Sequence, residues 1–241
     1  MQPLSRVNPN AVTNWGHPNT MAMRPALAAK VAQCIAHWAE IDVFLGAFLG
    51  FLLHANEAAA VAMYSGIENR TAQLKMINAA AKSCVPTDHF DALSCFLSAI
   101  LRPVMRERDK LAHWTWGYSD DLPDALLLAE PAYTLEGLMR ALREAPGVER
   151  AAVPQNYEKI YVICDPDLDR MIDRSIDAKD HLRLAMGTAW EHNPPQLRAQ
   201  FLHQLSNEPR ILAGLNRLAR DRQRTQAAPP LLPAIEPNGT E

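Results

Sequence analysis

The chain is poor in the residues that announce most chemistries. Its 241 residues hold only 10 glycines and 4 cysteines, and aromatic residues make up 7 %. The glycines form no phosphate-cradling loop, which removes support for a nucleotide kinase. No HExxH sequence and no Ser-His-Asp order is present, so metalloprotease and serine-hydrolase readings lack a basis. Cys34, Cys84, Cys95 and Cys164 form no CxxC pair and have no regular spacing. They read as thiols in a reducing cytosol rather than as a disulfide or zinc framework, and no metal or cofactor is expected.

Charge of one sign is also missing. Twenty-four basic residues face 27 acidic ones, a formal net charge of −3. Wholesale electrostatic capture of nucleic acid is therefore excluded, and any such contact must use local patches. The longest uninterrupted apolar run, Val43 to Leu53, is shorter than the ~20 residues a bilayer needs. The first twenty residues are polar and rich in Asn and Pro, unlike a secretory signal. The expectation is a cytoplasmic protein with no membrane partner.

What the chain does have is helical periodicity. Residues 1–24, with Pro3, Pro9 and Pro18, read as an extended arm. A first helix is expected from Pro25 to His54, where Val31, Ile35, Trp38, Ile41, Leu45, Phe48, Leu49 and Leu52 recur at helical spacing. Within it Gly46 and Gly50 form a GxxxG suited to close helix packing, in the bundle or across a dimer. Shorter helices follow at about 57–64 and 69–82. A fourth, capped by Asp88, carries Phe90, Leu93, Leu97, Ile100, Leu101, Val104 and Leu111 as one stripe. Pro103 should bend it or open its hydrogen bonding. Beyond Trp116-Gly117 the pattern changes. Ile160-Tyr161-Val162-Ile163 is the best strand signal, and a small antiparallel hairpin joining about 125–135 with 158–164 is expected, with Glu144 to Gly147 and Pro154 to Asn156 in its loop. Helices at about 168–191, capped by Asp165 or Asp167, and 196–224, interrupted near Pro209, close the fold, and the proline-rich 225–241 reads as a disordered tail. The fold class is mainly α, with a small β-hairpin and a helical C-terminal extension. Its divisions are 1–24, 25–118, 119–224 and 225–241.

One stretch carries chemistry: Arg108-Asp109-Lys110-Leu111-Ala112-His113. It sets a permanent cation and a group that moves protons near neutral pH at the end of the apolar fourth helix. Arg108 lies about 40° from Val104 and so falls on the apolar stripe. Asp109 and His113 share a face that Arg102 and Arg106 extend. Arg108 and His113, by contrast, diverge by about 140° on an ideal helix. They converge only if the helix bends or ends, if side-chain reach helps, or if two subunits meet. The plainer alternative is an Asp109–His113 contact with surface arginines, or Arg108 paired in the bundle with Glu40 or Asp42. Trp114 and Trp116 suit stacking on unpaired bases or ordinary packing. The last helix, with Arg198, Arg210, Arg217, Arg220, Arg222 and Arg224, suits an RNA backbone or a solvated face over buried Ile211, Leu212, Leu215 and Leu218. His37 and His54 lack the second Glu-x-x-His pair that a di-iron bundle requires.

The hexapeptide, its place late in a four-helix region and the aromatic that follows it resemble the R-x4-6-H motif of the HEPN superfamily over about residues 25–118. Many members carry asparagine after the arginine, where this chain has Asp109. The resemblance implies an HEPN-like four-helix bundle and a metal-independent endoribonuclease, toxin or defence related, with its site formed across a homodimer. His113 would act as general base or acid and Arg108 would hold the phosphate. Asp109 would orient His113, and Arg102, Arg106, Trp114 and Trp116 would bind substrate. It equally allows a non-catalytic binding or assembly protein, or a chain paired with an antitoxin or nucleotidyltransferase partner.

Overall fold

A computed structural model describes residues 1–15, 19–144 and 156–227. Two long helices set its frame. Helix α2, Pro25–Leu53, follows two short N-terminal strands, β1 (Gln2–Pro3) and β2 (Asn14–Trp15), and the single turn α1 (Leu4–Val7). Helix α8 is Asp165–Ala189. Between them lie α3 (Glu57–Ser65), α4 (Arg70–Cys84), α5 (Thr87–Phe96), α6 (Arg102–His113), β3 (Thr115–Tyr118), β4 (Ala125–Ala129), α7 (Pro131–Glu144) and β5 (Ile160–Cys164). Helices α9 (Pro195–Ser206) and α10 (Pro209–Ala227) follow. The mainly α reading with a small antiparallel β element holds.

The helix limits follow from local chemistry. Pro25 opens α2 at a position where a missing N–H costs nothing. His54, left-handed at φ 48°, ends it, and the Ala55 N–H returns to the Gly50 carbonyl. Asn56 and Asn69 cap α3 and α4 by accepting from the Ala59 and Ala72 N–H groups. Helix α5 begins at Thr87, after Pro86, so Asp88 sits inside its first turn rather than at the cap. Likewise Asp167 is the third residue of α8 and accepts from the Cys164 N–H, one turn back. Pro103 acts as expected. The residues just before it, Leu97–Leu101, form a π turn in which the Arg102 N–H reaches the Leu97 carbonyl. That wider turn accommodates a proline that can neither donate nor tolerate a close carbonyl one turn back.

Helices α2 and α8 run parallel, bound by polar pairs along their length. Lys30 meets Asp165 and Asp169 at 2.8 and 2.6 Å, Glu40 meets Lys179 at 2.5 Å, and His54 meets Glu191 at 3.0 Å. Beneath these, Trp38, Ile41, Leu45, Phe48 and Leu49 join Ile77, Leu93, Phe96, Ile100 and Leu101 in the main core. Ala178, Leu182, Ala185, Leu205 and Ile211 belong to the same cluster, so the core draws on both halves of the chain. Helix α2 is long and apolar enough, by length and composition, to cross a membrane, which corrects the estimate from the shorter apolar run. Here its apolar face is enclosed by protein. Gly50 serves packing within the chain, since a Cβ there would lie 2.9 Å from that of Ala60 on α3.

The expected hairpin is the centre of a larger sheet. β4 and β5 pair antiparallel from Ala125–Cys164 to Ala129–Ile160, as the sequence suggested. The full order, however, is β1-β5-β4-β3-β2. The N-terminal arm supplies both edge strands, two residues each, too short to leave a periodic signal. Burial of Leu4 and Ala11 against the sheet holds the arm there. Alternation along β4 sends Leu126 and Leu128 to one side and Ala125, Leu127 and Ala129 to the other, and all five are buried. Pro131 to Leu135, expected as strand, begin α7 instead, because a proline at a first helical turn starts a helix readily. At the C-terminus, Thr225 to Ala227 are helical rather than part of a tail, and 228–241 lie outside the described residues. So do Ala145 to Gly147 of the expected loop, along with Pro154 and Gln155.

Two arginines fasten α10. Arg222 forks onto Asp91 of α5 at 2.7 and 2.8 Å, and Arg210 reaches Asp177 of α8 at 2.6 Å. Ile211 is buried, whereas Leu212, expected inside, is exposed.

Phe48 is fully enclosed in the main core. Phe48→Ala is expected to cost about 3–5 kcal/mol, read as a lower urea midpoint. Burial, with Glu107 nearby, pushes the Cys34 thiol up to about 11. At pH 8 a thiol reagent should label exposed Cys84 at once and Cys34 only on unfolding. The unfolded Cys34 thiol ionises first, so its contribution to stability is intact below about pH 8.5. It is lost as pH rises toward 11, which denaturation at graded alkaline pH would measure.

Candidate active site

The stripe that anchors α6 in the core also carries Arg108. Val104 and Leu111 are buried on either side of it, one turn away each. The Arg108 side chain is only 18 % exposed, and its Nε is buried without a partner. The next turn ends the helix. Trp114 is extended (φ −83°, ψ 155°) while its N–H still bonds to the Lys110 carbonyl at 3.0 Å. His113 is therefore the last helical residue, and it is exposed.

The 140° separation between the two ends is closed within one chain. Arg108 Nη1 lies 3.3 Å from His113 Nε2 and 3.3 Å from Asp109 Oδ1. The long guanidinium arm bends along the helix surface toward its end, where no further turn stands in the way. A guanidinium can only donate. The contact with Nε2 therefore requires that nitrogen to be unprotonated, which is the form that acts as a base. Asp109 contacts Arg108 rather than His113, so the expected Asp109–His113 contact is replaced by one along the backbone to its neighbour. Pairing of Arg108 with Glu40 or Asp42 is also not what forms. Glu40 is held by Lys179, and Asp42 accepts from Tyr64 at 2.7 Å and meets Arg70 at 2.7 Å.

Arg102 and Arg106 are exposed on the α6 face that leads to His113. Trp114 and Trp116 are half-buried and already engaged. Trp114 packs on Tyr161 with ring centroids 5.7 Å apart, and the Lys110 ammonium lies 4.9 Å from the Trp114 ring and 5.3 Å from Tyr161. Trp116 donates its indole N–H to the Leu111 carbonyl at 3.2 Å. Both brace the end of α6 against the sheet. Two supports had no signal in the sequence. Glu107 is held by Arg174 of α8, 67 residues away, and Lys110 meets Tyr161 across a similarly long separation. Only the fold makes these residues neighbours.

The site is open rather than enclosed. A cavity of about 580 Å³ lined by Asp121, Asp167 and Arg170 includes neither Arg108 nor His113, and the same holds for a groove of about 290 Å³ beside Trp190. Among the described residues, no group of three or more His, Cys, Asp or Glu side chains is placed to hold a metal. Chemically, the pair offers a cation able to hold an anion within reach of a proton acceptor. No family model, curated protein or solved structure matches the chain.

Arg174 is the cation that holds Oε1 of the mostly buried Glu107 carboxylate beside the site, whose Oε2 is buried without a partner. Arg174→Ala should destabilise the chain by about 1–3 kcal/mol, visible in thermal or urea melts, while Arg174→Lys should recover part of the loss.

Proposed function

We propose that the chain is a metal-independent endoribonuclease of the HEPN type, acting on RNA in the cytoplasm, with its site completed at a homodimer interface. The observation that carries this reading is the 3.3 Å approach of Arg108 Nη1 to His113 Nε2 at an exposed helix end. RNA needs no metal to be cut, because its own 2′-hydroxyl is the nucleophile. His113 Nε2 takes the 2′-hydroxyl proton, and the freed oxygen attacks phosphorus. The bond from phosphorus to the 5′-oxygen breaks, leaving a 2′,3′-cyclic phosphate and a 5′-hydroxyl. The departing oxygen takes its proton from the His113 ring of the other protomer, which enters the step as the imidazolium. Arg108 holds the phosphate and stabilises the charge that builds on it. Arg102 and Arg106 lead the backbone in along α6, a local patch on a chain whose net charge is negative. An open site suits a polymer, which does not need to be enclosed.

Asp109 sets a cost. It shares the guanidinium with His113, and a phosphate must displace it or bind beside it. That contact, with the burial of Arg108, favours a second reading. In it the chain is a non-catalytic assembly module, paired with an antitoxin or a nucleotidyltransferase, and Arg108 is a structural cation.

The two readings separate with a fluorogenic RNA in EDTA. His113→Ala should reduce cleavage at least ~100-fold with the melting temperature unchanged, since the ring is exposed. Arg108→Ala should also lose cleavage, and a 2′-deoxy linkage at the cut should be inert. Cleavage that survives both substitutions sinks the nuclease. An inactive native chain whose Arg108→Ala variant melts sharply earlier supports the assembly module.

A further inference from the structure

Helix α7 exposes an apolar stripe that nothing in the fold requires. Leu135, Leu138 and Met139 are 58, 55 and 45 % exposed, at the i, i+3, i+4 spacing of one helix face. On the opposite face, about 150° round the helix, a Cβ on Gly137 would also meet no atom within 4 Å. The helix is held at its first turn. Tyr133 packs on the sheet and its hydroxyl accepts the Asn156 N–H at 2.6 Å. A face of this kind is built for another apolar helix.

We propose that α7 pairs antiparallel with α7 of a second copy of this chain across a two-fold axis. The charges beside the stripe select that occupant. At about 100° per residue, Glu136 and Arg143 fall on the same flank of the stripe, about two turns apart. A two-fold axis perpendicular to both helices keeps that flank on one side of the pair and reverses its order. Glu136 of each copy then stands opposite Arg143 of the other, giving two complementary pairs around an apolar seam. Parallel pairing would put that flank on opposite sides of the seam in the two copies, so neither cross-pair could form. This inference concerns a surface of its own and needs no RNA chemistry.

A single helix pair is smaller than the ~800 Å² per partner of a standard interface, so a concentration-dependent dimer is expected. Sedimentation velocity on the full chain tests it. The native chain should dimerise, and Leu138→Glu should leave a folded monomer. Glu136→Arg and Arg143→Glu should each weaken the dimer about tenfold. An equimolar mixture of those two variants should dimerise again, because both cross-pairs are restored. A native chain that is monomeric at all concentrations overturns the proposal. So does a dimer indifferent to these substitutions, or a mixture that fails to recover. RNA cleavage read on the same samples keeps the two ideas apart. His113-dependent cleavage by a dimer indifferent to the α7 substitutions would refute the pairing and leave the nuclease, and a charge-swapped dimer without cleavage would do the reverse.

Discussion

Parallel packing of α2 on α8 is the constraint from which the rest of the fold follows. Two parallel helices cannot be joined by a short turn. Helix α2 is 29 residues long, roughly 43 Å at 1.5 Å per residue. The chain that leaves its end at His54 must travel back that distance before α8 can begin beside Lys30. Helices α5 and α6 and the sheet make this return. Leu111, near the end of α6, accordingly clusters with Leu27 and Val31 of α2 and with Leu168 and Met171 of α8. The end of α6 is thus held where both long helices begin.

The same geometry explains how acids and bases are used. Along the rim between α2 and α8, opposite charges face each other at intervals: Lys30 with two aspartates, Glu40 with Lys179, His54 with Glu191. Exposed pairs of this kind add little stability individually. Their greater effect is on register, since sliding one helix along the other would separate every pair at once. Glu40 and Asp42, the acids on the first helix, are committed to Lys179 and to Arg70 with Tyr64. Arg108 pairs with neither and lies against His113 and Asp109 instead.

The site itself joins two kinds of residue. Arg108 belongs to the core stripe and inherits its position from Val104 and Leu111. His113 belongs to the surface and inherits its position from the place where α6 stops. Trp114 and Trp116 fix that stop by packing on Tyr161 and bonding to the Leu111 carbonyl. The aromatics after the motif therefore act first as braces for the helix end. A site made this way is rigid on the arginine side and accessible on the histidine side, which suits a ligand approaching from solvent.

By itself the sequence determined the helices and singled out a candidate pair, Arg108 and His113. Periodic apolar residues, Pro25, Asn56, Asn69 and Pro103 fixed where helices begin, end and loosen, because these signals act within one or two turns. The hairpin expected at about 125–135 with 158–164 was legible from the apolar and β-branched composition of its two segments, and it formed over 125–129 and 160–164. The tertiary structure decided what depends on distant partners. It made the N-terminal arm into two sheet edges through Leu4 and Ala11. It gave Glu40, Asp42 and Glu107 their cations, and it turned Pro131 to Leu135 from strand to helix. Above all it decided whether Arg108 and His113 meet. An ideal helix separates them by about 140°, and only the ending of α6 against the sheet, with the reach of a guanidinium, brings them to 3.3 Å.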